Sequence, residues 1–287
     1  MAPYVIFVDS GSDLSPDMLK KYDLVCIPLS VTVGNNAPVS ENELDMKEVY
    51  AKLRAKVQVR TSAAGIETFI ETFEPYLAAG TDVLYLGFSS GISGTYNAGF
   101  VAARELREKY PERTVETVDT LCASLGAGLI AALAAEKRLA GASLAEVRDY
   151  VESTKLHLCH AFTVEDLFFL HRGGRVSLAT AVAGSALGIK PVMHVDNEGH
   201  LTKVGTARGR RASLDALCNR MQASAFDPKG SHVFISHGDC PDDAEYVARR
   251  LRETMGVTDV TIGYIGPVIG AHSGPGTVAL FFLGKER

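Results

Sequence analysis

Cysteine is scarce in this 287-residue chain, and its spacing is irregular. The five cysteines stand at positions 26, 122, 159, 218 and 240, and no two of them form a C-x-x-C pair. Structural zinc sites need such pairs, and disulfide frameworks usually need an even number of cysteines. We therefore expect no metal site, no cofactor, reduced thiols and a cytoplasmic location.

Positive charge is not in excess either, because the chain has 29 Lys and Arg residues and 34 Asp and Glu residues, which gives a net charge of -5. Such a chain has no bulk attraction to nucleic acid. The first apolar run lacks a basic flank and is interrupted at Asp9, which is not typical of a secretory leader. The longest weakly polar run, 121–135, is shorter than the ~18 apolar residues that span a membrane. We expect neither a nucleic acid partner nor an integral membrane segment.

Apolar strands alternate with amphipathic helices in the first half of the chain. Strands are predicted at 4–8, 24–33, 82–88 and 115–118, and helices at 45–54, 65–78, 95–109, 121–139 and 143–153. This alternation predicts an α/β fold with a parallel sheet covered on both faces, which makes three layers. In the second half, two antiparallel strands around the turn at 197–199 favour a smaller α+β domain. We place the domains at 1–158 and 159–287.

Small hydroxyl residues collect where predicted strands end. Ser89, Ser90, Ser93 and Thr95 follow one strand, and Thr61-Ser62 precedes a predicted helix. Ligands of open parallel sheets bind beyond the carboxyl ends of the strands, and hydroxyl groups at a helix N-terminus bind anions. Each hydroxyl could instead cap its own helix, but one helix needs only one N-cap.

Cations and a histidine stand in glycine-rich segments of the second half. Arg172 and Arg175 flank a Gly-Gly pair, and His272 lies in a predicted loop at 270–276. Arginine forks match carboxylate or phosphate oxygens, and glycine lets the backbone approach a ligand. A second basic cluster holds Arg208 and Arg211. It could be a solvated surface, or it could dock an acidic or phosphorylated partner.

The segment 87–91 also fits G-x-S-x-G, the nucleophile elbow of serine hydrolases. The chain order Ser89, then Asp119 or Asp166, then His272 matches the order of a hydrolase triad. However, the elbow requires a helix directly after the nucleophile, and here Ser93 or Gly94 is the better helix start. A serine hydrolase or esterase using Ser89 is therefore kept as the alternative function.

Together these segments resemble the DegV family, the fatty-acid-binding proteins that serve bacterial fatty acid kinase. The motifs that carry the resemblance are Val8-Asp9-Ser10, Thr61-Ser62, Ser93-Gly94-Thr95-Tyr96, Gly173-Gly174-Arg175, and His272 with Gly274-Pro275-Gly276. The resemblance implies a larger α/β domain, a smaller α+β domain and a fatty acid in a tunnel between them. It implies carboxylate contacts from Thr61, Ser62, Ser93, Gly94, Arg175 and His272, with Thr95, Arg172, Ser273 and Gly274 as further candidates.

In that family the binding protein makes no chemical step. The resemblance implies that it presents the carboxylate to a separate ATP-dependent kinase, which forms an acyl phosphate for phospholipid synthesis. The segment around Arg208 and Arg211 resembles the surface that docks the kinase. The fold also resembles the substrate subunit of dihydroxyacetone kinase, but the sequence has no P-loop motif, which disfavours ATP binding. The sequence does not indicate acyl length.

Overall fold

The structure is a computed structural model, and it describes residues 3–183 and 188–287. Its strands are β1 Tyr4–Asp9, β2 Leu24–Ile27, β3 Ser30–Val33, β4 Val39–Ser40, β5 Val59–Ser62, β6 Asp82–Gly87, β7 Val115–Asp119, β8 Leu158–Thr163, β9 Ile189–Val195, β10 Leu201–Arg208, β11 Val233–His237, β12 Val260–Tyr264 and β13 Val278–Leu283. Its helices are α1 Pro16–Tyr22, α2 Met46–Arg54, α3 Ile66–Ala78, α4 Thr95–Lys109, α5 Leu125–Leu139, α6 Leu144–Thr154, α7 Phe168–Arg172, α8 Leu178–Ala183, α9 Arg210–Ser224, α10 Pro241–Met255 and α11 Pro267–Ser273.

Four strands form the parallel sheet that the sequence predicts, in the order β2-β1-β6-β7. Side chains alternate between its two faces. Ile6 and Leu84 pack on one face with residues of α5, whereas Phe7 and Tyr85 pack on the other with residues of α3 and α4. Both faces are therefore covered by helices, which confirms the three-layer prediction for this part of the chain.

A mixed six-stranded sheet follows in the order β10-β9-β8-β13-β11-β12. The predicted antiparallel pair around 197–199 is β9 and β10. Helices α9 and α10 cover one face of this sheet, and α5 lies against the other. All strands of the parallel sheet end by Asp119, and all strands of the mixed sheet begin at or after Leu158. Because α5 contacts both sheets, the domain division at residue 158 stays a prediction.

Helix α5 lies between the two sheets, and its small residues make this close packing possible. A Cβ atom on Gly126 would overlap the ring of His160 and lie 2.8 Å from Cδ1 of Phe281. The sequence predicts the start of this helix at residue 121, but α5 begins at Leu125. The intervening loop adopts positive φ angles at Leu121 and Ser124, which helical backbone excludes. No helix in residues 3–183 and 188–287 is long and apolar enough to cross a bilayer.

A small antiparallel sheet in the order β4-β3-β5 has no counterpart among the sequence predictions. The single strand predicted at 24–33 is wrong, because the chain leaves the parallel sheet after Ile27 and resumes at Ser30 as β3. Pro28 lacks the N–H that a ladder needs, so it marks the break. Thr61 and Ser62 end β5, which places them in this sheet.

Asp13 joins the first loop of the chain to two later segments. One carboxylate oxygen accepts a hydrogen bond from the backbone N–H of Gly266 at 2.9 Å, and the other accepts from the hydroxyl of Ser124. Burial raises the pKa of Asp13 from 3.8 to about 7, although both hydrogen bonds act in the opposite direction. The folded protein therefore holds a proton on Asp13 at a pH where the unfolded chain has released it.

Replacement of Asp13 by asparagine is expected to flatten the pH dependence of stability. A raised pKa in the folded state stabilises below the unfolded value, and that stability is lost as pH rises towards about 7. The stability of the Asp13→Asn variant relative to the wild type should thus rise by about 4 kcal/mol between about pH 4 and about pH 8. Urea unfolding across this range measures the difference. The exposed Asp17→Asn variant is the control, and parallel curves for Asp13→Asn and wild type would refute the assignment.

Candidate functional site

Four segments that are distant in sequence meet beside the small antiparallel sheet. They are the end of β5, the loop between β6 and α4, the Gly-Gly-Arg segment after α7, and α11. The glycine-rich segment around His272 was predicted to be a loop, and that prediction is wrong, because 267–273 forms α11 with Pro267 in its first turn. A proline at this position favours helix initiation. His272 therefore projects from a short helix.

Thr61 and His272 form a polar side-chain pair in the site. Thr61 Oγ1 and His272 Nε2 lie 2.7 Å apart. Burial, together with the smaller effect of the positive charge of Arg175, lowers the pKa of His272 to about 4. The imidazole is therefore neutral near pH 7, so it carries one N–H donor and one acceptor nitrogen.

The two glycines before Arg175 have different roles. A Cβ atom on Gly173 would overlap Nδ1 of His272 and lie 3.1 Å from its Cγ, so only glycine lets the imidazole pack this closely. Gly174 adopts a φ of 75° and has no atom near the position of a Cβ. Glycine is required at position 174 for its backbone conformation, because residues with a side chain disfavour positive φ angles. Gly174 therefore allows the chain to turn, and Gly173 leaves room for the imidazole of His272.

Arg175 brings a positive charge to the same place. Its Nε donates to the carbonyl oxygen of Ile92 at 3.2 Å, and a second guanidinium nitrogen donates to the carbonyl oxygen of Gly173. Burial lowers the pKa of Arg175, yet a guanidinium stays charged in proteins. Within 3–183 and 188–287 it has no carboxylate partner. Its charge is thus available to an anion.

Ser93 and Thr95 make a local pair at the start of α4. Their hydroxyl oxygens lie 2.9 Å apart, and Ser93 Oγ also accepts from the backbone N–H of Thr95 at 3.2 Å. Thr95 is fully buried, whereas Ser93 is half-buried and Gly94 is exposed. The helix begins directly after Gly94, as the sequence predicts. Thr95 supports the loop, and Ser93 faces the neighbouring cavity.

Two chambers share Thr61, Arg175 and His272 in their linings, and we call the smaller one the inner chamber and the larger one the outer chamber. The inner chamber has a volume of about 160 Å³ and the outer one about 870 Å³. The inner chamber is lined by all six principal candidates from the sequence, Thr61, Ser62, Ser93, Gly94, Arg175 and His272, and by Ser273. Of the other candidates, Arg172 lines the outer chamber, and Thr95 and Gly274 line neither.

The rest of the inner chamber is apolar, and the sequence did not indicate its lining. Its apolar side chains are Leu29, Ala63, Phe88, Ile92, Ala123, Leu170, Leu201, Val268 and Ile269. They come from both halves of the chain, and in the sequence each looks like an ordinary core residue. Ser273 Oγ is buried against this chamber without a hydrogen-bond partner among the described residues. Such an oxygen is costly unless a ligand or water satisfies it.

Ser89 holds two parts of the chain together and is not exposed at a nucleophile elbow. Its side chain is fully buried, and its Oγ donates to the carbonyl oxygen of Gly199 at 2.9 Å and accepts from the N–H of Gly91 at 3.2 Å. Gly91 packs so tightly on the same turn that a Cβ would lie 2.7 Å from the carbonyl oxygen of Glu198. The serine therefore fastens the β6–α4 loop to the β9–β10 turn.

The hydrolase alternative is not supported by the positions of the other two residues. Both carboxylates, Asp119 and Asp166, accept hydrogen bonds from backbone N–H groups. His272 contacts Thr61, and no hydrogen bond in the described part of the chain joins it to Ser89 or to either aspartate. Although their order in the chain matches that of a hydrolase triad, these residues therefore do not form a triad in the structure.

Arg208 and Arg211 lie away from both chambers. Arg208 ends β10, Arg211 stands in the first turn of α9, and both are exposed. The guanidinium of Arg211 lies 3.6 Å from the ring centroid of Tyr246, which holds it at the surface. Their role in docking a partner stays a prediction. No group of three or more His, Cys, Asp or Glu side chains in the described ranges could hold a metal ion.

Comparisons with known proteins identify the relatives of this chain. The family model described as uncharacterised proteins of the DegV family matches residues 3–285. A DegV domain-containing protein of Clostridium perfringens is 42% identical over 289 residues, covering 100% of this chain and 99% of the relative. The structure of a DegV family protein from Thermus thermophilus, described as binding fatty acid, is 29% identical, with a TM-score of 0.88 over 99% of this chain and 100% of that one.

A more distant structure has the same fold. The Fak B3 protein of the fatty acid kinase of Streptococcus pneumoniae, solved with linoleic acid, is 18% identical, with a TM-score of 0.86 over 98% of this chain and 99% of that one. At this identity the similarity shows the fold alone. The match over nearly the whole chain, the 42% identical relative and the shared fold lead to one conclusion: the chain belongs to the DegV family.

Proposed function

We propose that this protein binds a long-chain fatty acid, with the carboxylate at Thr61, Arg175 and His272 and the first part of the acyl tail in the inner chamber. The observation that carries the proposal is that these three polar residues line both chambers and stand beside the apolar side chains of the inner one. A fatty acid placed there has the first part of its tail among apolar side chains, while its carboxylate is hydrogen-bonded and adjoins the outer chamber. Fatty acid binding by the Thermus thermophilus relative supports this choice of ligand.

The polar residues meet the needs of a desolvated carboxylate. Such a group is costly to bury unless it has hydrogen-bond donors and a compensating charge. A neutral His272 protonated on Nε2 donates to Thr61, whose hydroxyl then donates to the carboxylate. The half-buried Arg175 supplies the positive charge, and Ser93 and Ser273 line the chamber close by.

The tail contributes most of the affinity in this proposal. Burial of each methylene group is worth ~0.8 kcal/mol, so even part of a long chain gives tight binding. The apolar lining of the inner chamber provides the matching surface.

The outer chamber suggests what happens to the bound carboxylate. It reaches the Thr61–His272 pair, so a partner that enters it can approach the head group without displacing the tail from the inner chamber. We therefore propose that a separate kinase transfers the γ-phosphoryl group of ATP to a carboxylate oxygen, giving acyl phosphate for phospholipid synthesis and ADP. In this scheme the chain holds and orients the fatty acid in the cytoplasm and makes no chemical step, and the exposed Arg208 and Arg211 dock the kinase.

Lipid analysis of the purified protein tests the binding step. The protein is denatured and extracted, and the extract is analysed for fatty acids; uptake of added palmitate and oleate is measured in parallel. We expect one fatty acid per chain. A preparation that carries none and takes up neither would refute the proposal. The kinase step is tested with a purified fatty acid kinase subunit, Mg-ATP and hydroxylamine, which converts acyl phosphate to a hydroxamate; loss of product with His272→Ala is expected.

The Thr61→Val variant is expected to weaken palmitate binding by about 10-fold. Valine keeps the shape of threonine but removes one hydrogen bond to a charged group, which is worth ~1.5–3 kcal/mol. Displacement of a fluorescent fatty acid measures the affinity. Thr72→Val is the matched control, because the Thr72 hydroxyl bonds only to its own helix. Equal affinities for Thr61→Val and wild type would show that Thr61 does not hold the carboxylate.

A further inference from the structure

Helix α11 contributes much of the inner chamber. Four of its residues line that chamber, namely Val268, Ile269, His272 and Ser273. The helix has only seven residues, which make about two turns, so a displacement of its first turn is passed on to His272. The groups that hold the first turn therefore decide whether His272 stays within hydrogen-bond distance of Thr61.

Two carboxylates lie at the beginning of α11. Asp13 Oδ1 accepts a hydrogen bond from the backbone N–H of Gly266, the residue before the helix, at 2.9 Å. A Cβ atom on Gly266 would lie 2.8 Å from this oxygen and 3.9 Å from Oε1 of Glu41, so both carboxylates face the same glycine. The N–H of Val268, in the first turn, interacts with Glu41 and acts to lower its pKa. N–H groups at a helix start have no partner inside the helix, and here the two carboxylates supply the acceptors.

Positive charge is missing around this pair. In residues 3–183 and 188–287, no Lys, Arg or His lies within ion-pair distance of Asp13 or Glu41. The titratable groups that face the pair are Asp9 at the end of β1, Cys26 of β2 and Tyr50 of α2, and none of them is a cation. A buried oxygen of Glu41, Oε2, also has no hydrogen-bond partner in the described part of the chain. If both carboxylates ionise, their repulsion is therefore uncompensated.

The pair keeps a proton near neutral pH while it is buried. Burial raises the pKa of Asp13 to about 7, and burial together with the charge of Asp13 raises the pKa of Glu41 to about 8. A first turn that moved away would let water reach both carboxylates, and their pKa values would fall towards those of exposed carboxyl groups. The displaced arrangement thus binds fewer protons than the packed one, so a rise in pH favours displacement.

We propose that Asp13 and Glu41 are positioning residues of the carboxylate site: while they hold a proton between them they fix the first turn of α11, and when they lose it α11 shifts and the fatty acid is released. This inference rests on the proposed function. Neither residue lines the inner or the outer chamber, so both act on the ligand through His272 and Ser273. The protein therefore retains its ligand at slightly acidic pH and gives it up more readily at slightly alkaline pH.

The experiment measures palmitate affinity from about pH 6.5 to about pH 9 by displacement of a fluorescent fatty acid, a range above the ordinary pKa of a carboxyl group. The groups that contact the carboxylate keep their charge across it, because the pKa of His272 is about 4 and Arg175 stays protonated. For the wild type we expect the affinity to fall by on the order of 10-fold as the pH rises, which is the effect of one proton on a two-state equilibrium.

A variant that cannot ionise tests the two carboxylates. Asp13→Asn/Glu41→Gln keeps an acceptor oxygen at each position, so its affinity should change by less than about 3-fold over the same range. Asp17→Asn/Glu71→Gln removes two exposed carboxylates elsewhere and should follow the wild type. Effects of pH on palmitate itself are common to all three proteins. Amide hydrogen exchange gives a second measurement, in which the protection of residues 267–273 of the wild type should fall with pH more than the intrinsic rate explains.

The outcomes separate this inference from the function on which it rests. If the wild type does not bind palmitate at about pH 6.5, the proposed function fails and the inference fails with it. If palmitate binds with an affinity that does not depend on pH, or if the protection of α11 is constant, the inference alone is wrong. An equal decline in the wild type and in Asp13→Asn/Glu41→Gln would assign the proton to another group, such as Asp9, and would also overturn it.

Discussion

Replacement of Ile92 by tryptophan is expected to reduce palmitate affinity by at least about 100-fold. Ile92 lines the inner chamber from the loop between β6 and α4. The larger indole ring would occupy space proposed for the first part of the acyl tail. Exclusion of about four methylene groups at ~0.8 kcal/mol each removes about 3 kcal/mol, which corresponds to about two decades in affinity.

The loop should tolerate this change. Ile92 is half-buried in a segment without regular structure, and its contact with Arg175 is made by its backbone carbonyl. Thermal unfolding checks that the variant folds. Phe100→Trp, at an exposed position of α4 that lines neither chamber, is the control for adding an indole ring. Undiminished palmitate binding by a folded Ile92→Trp variant would show that the tail lies elsewhere.

The parts of this site that the sequence predicted are those with local signals. Ser93 and Gly94 stand between a strand and a helix whose periodicity is clear, and the helix begins at Thr95, directly after Gly94. The sequence does not predict that His272 is neutral, because the neutral state depends on burial and on Arg175, which is 97 residues away in the sequence. Such long-range contacts have no local signal.

The glycines show the same limit. The sequence analysis interprets Gly173 and Gly174 as residues that let the backbone approach a ligand, and in the structure Gly174 also adopts a positive φ. Gly173 is instead required by the ring of His272, a residue from a different segment. The inner chamber could not be predicted from the sequence for a related reason, because apolar residues that line a cavity and apolar residues that fill a core are of the same types. Their difference lies in packing alone.

The serine of the G-x-S-x-G match illustrates how a correct local pattern can mislead. A strand does precede Ser89 and a helix does follow it, as in a nucleophile elbow. Four residues separate Ser89 from Gly94, so the helix does not begin directly after the serine. The hydroxyl of Ser89 is hydrogen-bonded to the β9–β10 turn. The serine of this loop that lines the inner chamber is Ser93.

The largest effect on stability is expected at the helix between the two sheets. Replacement of Gly126 by valine should lower the free energy of unfolding by about 3–5 kcal/mol or prevent folding, because its first side-chain atom would overlap the ring of His160 and crowd Phe281. Neither neighbour can move easily, since both are buried in the mixed sheet.

Gly94→Ala is the control, because no atom lies within 4 Å of its Cβ position, and it should change stability by less than about 1 kcal/mol. Urea unfolding measures both variants. A Gly126→Val protein as stable as the wild type would mean that α5 does not pack this closely between the sheets, and the inner chamber, which Ala123 lines just before α5, would then have a different shape.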